Sequence, residues 1–78
     1  MENIVQYQDY SLHLHENNPG HWLHNFELWA AKGEHSTIAS ENGYARPPWK
    51  VIGREHVYLD WLDKPEIRKR VDALLIGF

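Results

Sequence analysis

Two consecutive prolines, Pro47 and Pro48, constrain this chain more than any other feature. Proline has no backbone N–H and its ring clashes with the preceding helical turn, so no helix can run through this point. The residue before each proline is also held out of the helical region. Beyond them, Trp49-Lys50-Val51-Ile52 carries the aromatic and β-branched types that suit a strand. Gly53-Arg54 interrupts the run, which resumes at His56-Val57-Tyr58-Leu59. The order predicted here is a short helix, a proline stop, and a β-hairpin with Gly53 at its tip.

Upstream, Tyr10, Leu12 and Leu14 alternate with Ser11, His13 and His15, the period of a half-buried strand. Asn18 before Pro19 reads as a helix N-cap with proline in the first turn. Trp22, Leu23, Phe26, Trp29 and Ala30 then recur at the spacing of one helical face. Gly33 is the expected C-terminal stop, giving a helix over 19–32. A strand over 22–29 is the competing reading, because aromatics also favour strands. Ser36 or Thr37 caps the short second helix, which ends at the Asn42-Gly43 turn. Asp63 is the expected cap of a last helix, with Pro65 in its first turn and Ile67, Val71, Leu74 and Leu75 on one face. The whole is a single α+β domain over 1–78: strand, helix, short helix, hairpin and C-terminal helix.

With 78 residues and no cysteine, the chain builds one modest core without disulfides or thiolate metal sites. Ten aromatics, four of them tryptophan, supply large units of burial. No apolar run approaches the ~20 residues of a membrane span. Met1-Glu2-Asn3 lacks the features of a signal peptide, so a cytoplasmic protein is expected. The net charge of −3 conceals a division. Residues 1–42 hold six acids and one base, whereas residues 43–78 hold seven bases and five acids. Between Gly43 and Arg54 there are three bases and no acid. A local field of this sign is what a polyanion approaches.

Three short motifs stand in order: Ser36-Thr37-Ile38 opening a helix, the Pro47-Pro48 pair, and Lys50-Val51-Ile52-Gly53-Arg54-Glu55. On these residues the chain resembles the excisionase and AlpA-type small winged-helix proteins of phages and mobile elements. The likeness covers about residues 36–60. It implies a DNA-bending accessory factor for a site-specific recombinase, or a related transcriptional regulator. Double-stranded DNA is then the partner, with Arg46, Lys50 and Arg54 on phosphates and Ser36, Thr37 and Ser40 facing the groove. Without that resemblance, the prolines and Gly53 describe only a helix end and an ordinary hairpin.

A second function class fits the acidic half. A phage-type inhibitor of a host protein would use Asp9, Glu16, Glu27, Glu34 and Glu41 against a basic partner surface. Trp49, between Pro48 and Lys50, is the candidate exposed contact aromatic, with packing against the root of the hairpin as the competing and favoured reading. His13-x-His15 and His21-x-x-His24 have metal-competent spacings, but with cysteine absent they are read as polar-face residues and no metal or other cofactor is expected. No Gly-rich phosphate loop is present, and no serine or threonine has a convincing catalytic partner. The expectation is a non-enzyme without a small-molecule substrate.

Overall fold

The structure, a computed structural model, describes residues 3–17, 25–54 and 63–78. Four strands form one antiparallel sheet in the order β1 (Val5–Tyr7), β2 (Tyr10–Asn17), β3 (Asn25–Lys32) and β6 (Lys50–Gly53). Between β3 and β6 the chain makes a small separate hairpin, β4 (Ser40–Glu41) with β5 (Tyr44–Ala45). Among the described residues there is one helix, α1 (Pro65–Ile76).

The pairing of β2 with β3 aligns Leu12 with Ala30, Leu14 with Leu28, His13 with Trp29 and His15 with Glu27. Because side chains alternate across a strand, this register sorts the sheet into two faces. Leu12, Leu28 and Ala30 are buried under Ile67, Val71 and Leu75 of α1. Val5, Tyr10, Leu14, Ile52 and Phe78 complete that layer. On the opposite face Trp29 and Ala31 are buried with Trp49, and Ile4, Ile38, Ala39, Ala45 and Val51 pack around them. The sheet is therefore covered on both sides, by a helix and by the loop from Gly33 to Trp49.

That double burial overturns the helix expected over 19–32. Residues 25–32 are a central strand, and residues 19–24 lie outside the described residues. A strand buried on both faces has a continuous apolar run, here Leu28-Trp29-Ala30-Ala31, and loses the alternation that marks an exposed one. Gly33 does not end a helix. It follows β3 at φ +89° and donates its N–H to the Asp9 carbonyl at 2.7 Å.

The short helix expected from Ser36 is also absent. Residues 36–39 are bend and coil leading into β4, so Ser36 and Thr37 are not helix caps. Asn42 and Gly43 turn a β-hairpin, with φ of +53° and +81°. Asn-Gly fits because a two-residue hairpin turn of the primed type needs positive φ at both positions. A Cβ on Gly43 meets nothing within 4 Å, so the constraint is on backbone conformation alone. Gly43→Val is thus expected to lower stability by about 1–2 kcal/mol, read from chemical denaturation. A neutral result would show that the turn has no such requirement.

Pro47-Pro48, joined by a cis peptide bond, terminate no helix. They sit in a turn closed by the Trp49 N–H on the Arg46 carbonyl at 2.8 Å, which feeds directly into β6. The first half of the expected wing is strand β6, paired with β3 and last in the sheet among the described residues, with a register shift between Leu28 and Trp29. The strand expected at 56–59 and Trp61 lie outside the described residues. An unexpected strand, β1, joins β2 through a tight turn in which Gln8 takes φ +54°.

Helix α1 lies where its apolar spacing placed it, with Ile67, Val71 and Leu75 buried. Its N-cap is Lys64, without a side-chain cap hydrogen bond, so Asp63 does not cap it. Tyr7 ties the helix to β1 by donating its phenol to Asp72. That carboxylate raises the Tyr7 pKa above its ordinary value, mainly through the hydrogen bond, with burial adding to it. No helix among the described residues is long and apolar enough to cross a membrane.

Candidate functional site

The loop from Gly33 to Trp49 covers the sheet face opposite the helix and carries a hairpin of its own. Trp49 holds it down. Its side chain is buried, and its indole N–H donates to the Thr37 carbonyl at 3.2 Å across the loop. Of the two readings open for Trp49, packing is the one the structure shows, and the exposed contact is excluded. Ser11 fixes the other end. Its buried hydroxyl donates to the Gly33 carbonyl at 2.7 Å and accepts the His35 N–H at 2.9 Å. A buried hydroxyl needs such partners, and these two hydrogen bonds set the path of the chain as it leaves β3.

Held at both ends, the loop carries the β4–β5 hairpin. Ser40 faces Ala45 and Glu41 faces Tyr44, and the Arg46 N–H bonds the Ala39 carbonyl at 2.9 Å. Tyr44 is 73% exposed although its hairpin is anchored to a buried cluster. Nothing in the sequence reading singled out Tyr44. The Asn42-Gly43 dipeptide was the available signal, because such a turn flanked by short strands places the following residue on a hairpin.

The residues expected to touch DNA divide between the loop side of the sheet and, for Lys50, the helix side. Ser36 and Thr37 are exposed in the loop, and Ser40 is exposed on β4. Arg46 pairs with Glu41 at 2.7 Å. Arg54 pairs with Glu27 at 3.1 Å on the sheet face opposite the helix. Lys50 reaches the other way, its ammonium 5.0 Å from the centre of the Phe78 ring on the helix side. The acid-free stretch of sequence thus becomes one base on the helix side and two bases each ion-paired with an acid from elsewhere in the chain.

The acids are divided as well. Asp9 and Glu34 meet at one end of the sheet, where with Gln6, Gln8 and Gly33 they line an open cavity of about 390 Å³. Glu16 and Glu27 lie near the far end of the β2–β3 ladder, and Glu41 is on the small hairpin. Glu27 has a largely sheltered carboxylate that also accepts the Trp29 indole N–H at 3.1 Å. No single acidic face collects all five.

His13 and His15 share one face of β2, as their spacing required, and both rings contact Trp29. His21 and His24 lie outside the described residues. Among the described residues no group of three or more histidines and carboxylates is placed to hold a metal ion.

Comparison with known proteins finds no matching family model, no matching curated protein and no matching solved structure. The likeness to excisionases therefore rests on its three short motifs alone, and the winged-helix architecture it implied is replaced by a sheet covered by a loop and a helix.

Proposed function

We propose that the chain is a small non-catalytic protein-binding module that meets its partner through the surface built by the Gly33–Trp49 loop. The observation carrying this reading is Tyr44, 73% exposed on a hairpin whose base is locked to the sheet by buried Trp49. Long connections in small domains are usually functional. Tyrosine on a rigid support offers a large amphipathic contact and orders only two side-chain torsions on binding. Asp9 and Glu34 are exposed beside the loop, so a partner with a basic surface, such as a protein that handles nucleic acid, is favoured.

Duplex DNA is the competing partner, and one feature speaks for it: Lys64, Arg68, Lys69 and Arg70 are exposed at and along α1. One experiment separates the two. A photo-crosslinking amino acid is placed at Tyr44 and, as control, at Ile76, which is 88% exposed on the helix. In cells, position 44 should yield a discrete protein adduct that position 76 does not. The purified chain should leave mixed-sequence duplex unshifted at low salt. A salt-sensitive gel shift, lost in Arg68→Ala with Lys69→Ala, would replace this reading with the DNA one.

A further inference from the structure

We infer that the Asn42-Gly43 turn is a site of spontaneous covalent modification: Asn42 loses its side-chain amide, the backbone there becomes isoaspartyl, and the hairpin that presents Tyr44 comes apart. What this means for a partner rests on the proposed contact surface; the conversion and the loss of the hairpin do not.

The reactive pair occurs once in the sequence. The backbone nitrogen after an asparagine can attack its side chain when the next residue leaves room, and glycine, with no Cβ, leaves the most. Asn42 alone is followed by glycine, whereas Asn3, Asn17, Asn18 and Asn25 precede Ile4, Asn18, Pro19 and Phe26. The fold leaves this pair open. Asn42 and Gly43 are exposed, a Cβ on Gly43 would meet nothing within 4 Å, and no described residue hydrogen-bonds the Asn42 side-chain amide.

Attack requires rotation about the Asn42 Cα–C bond, so the turn must open first. Its strands are two residues each, pairing Ser40 with Ala45 and Glu41 with Tyr44. The Glu41–Arg46 ion pair is more than half exposed at both side chains, and such pairs hold little. Beneath the tip the structure is firm. The Arg46 N–H donates to the Ala39 carbonyl at 2.9 Å, and Ala39 and Ala45 pack on the cluster of Trp29 and Trp49. The tip therefore opens locally while its base and the sheet stay folded.

In the open tip the Gly43 nitrogen gives up its proton to base and bonds to Cγ of Asn42. The bond from Cγ to the side-chain nitrogen breaks, ammonia leaves, and a five-membered succinimide remains. Water then opens the ring. Cleavage between the Gly43 nitrogen and Cγ gives aspartate; cleavage between that nitrogen and the main-chain carbonyl carbon gives isoaspartate, with the chain now running through the side chain. The sum is amide plus water to carboxylic acid plus ammonia. The native turn holds Asn42 at φ +53° and Gly43 at φ +81°. A two-residue turn of this type has no room for an added backbone methylene, so the pairing of Glu41 with Tyr44 is lost.

The test is incubation of the purified full chain at 37 °C, followed by mass spectrometry, isoaspartyl methyltransferase labelling and NMR. The peptide containing Asn42 should gain about one dalton and accept a methyl group. Conversion should run faster at about pH 8 than at about pH 5, because base must remove the amide proton. In the converted chain the amides of Ser40, Tyr44 and Ala45 should lose their hairpin shifts, while those of Leu12, Leu28 and Val71 stay. Asn42→Gln, which would have to close a larger ring, should remain unconverted. Asn42→Asp supplies the charge without the methylene and should keep the hairpin. Conversion no faster at Asn42 than at Asn3 and Asn17 would overturn the proposal. So would a converted chain with its hairpin signals intact, or an Asn42→Asp chain that has already lost them. No partner is present, so either result leaves the reading of Tyr44 to its own test.

Discussion

Trp29→Ala should cost roughly 3–5 kcal/mol, the range for removing a large buried aromatic, and leave the protein largely unfolded at physiological temperature. The side chain is fully buried on the central strand and is the hub of the cluster that seats the Gly33–Trp49 loop. Its loss opens a cavity beneath Trp49, strips the support from His15, and leaves an oxygen of the sheltered Glu27 carboxylate without its indole donor. A domain this small commonly has a total stability of about 5 kcal/mol or a little more, so one substitution consumes most of it. Urea denaturation followed by far-ultraviolet circular dichroism gives the number. A loss below about 1 kcal/mol would mean that the loop-side layer is not part of the cooperative core.

The helix side has an equally sharp contrast. Val71→Asp places a carboxylate at a fully buried position against Leu12, Leu28 and Ala30. An uncompensated buried charge costs about 3–5 kcal/mol, and the variant should not fold at neutral pH. Ile76→Asp is a change of the same kind five residues on, at a position 88% exposed, and should shift stability by no more than about 0.5 kcal/mol. Thermal melts of the two variants side by side test which face of α1 meets the sheet. Equal effects would show that the helix does not dock through Ile67, Val71 and Leu75.

Local pattern made some of this architecture legible. The alternation of Tyr10, Leu12 and Leu14 marks β2, and it also places His13 and His15 together on the other face. The spacing of Ile67, Val71 and Leu75 after Pro65 marks α1. In both elements one face is wet and one dry, so hydrophobic periodicity survives in the sequence. β3 shows where that signal fails. Trp29 and Ala31 on one side and Leu28 and Ala30 on the other are all buried, and the aromatic spacing imitates a helix. The Asn42-Gly43 pair carried a hairpin signal, but assigning it to a helix end hid Tyr44. For the candidate site the losses were greater. For Trp49 the sequence leaves two readings, an exposed contact among bases or packing at the hairpin root, and burial decides for packing, because sequence neighbours say nothing about what lies beneath a loop.

The sequence by itself determined the size of the core, the absence of disulfides, one strand, the final helix, and a break in the chain at Pro47-Pro48. Each follows from composition or from a property of a few adjacent residues. Only the tertiary structure decided which residues share a surface. Arg46 and Arg54 are neutralised by Glu41 and Glu27, five and twenty-seven positions away. Lys50 is turned to the opposite face by strand alternation. A basic run in sequence becomes a basic surface only if side chains project the same way and acids stay distant. Both conditions are set by the pairing of β3 with β6 and by the path of the Gly33–Trp49 loop, which long-range packing on Trp29 selects.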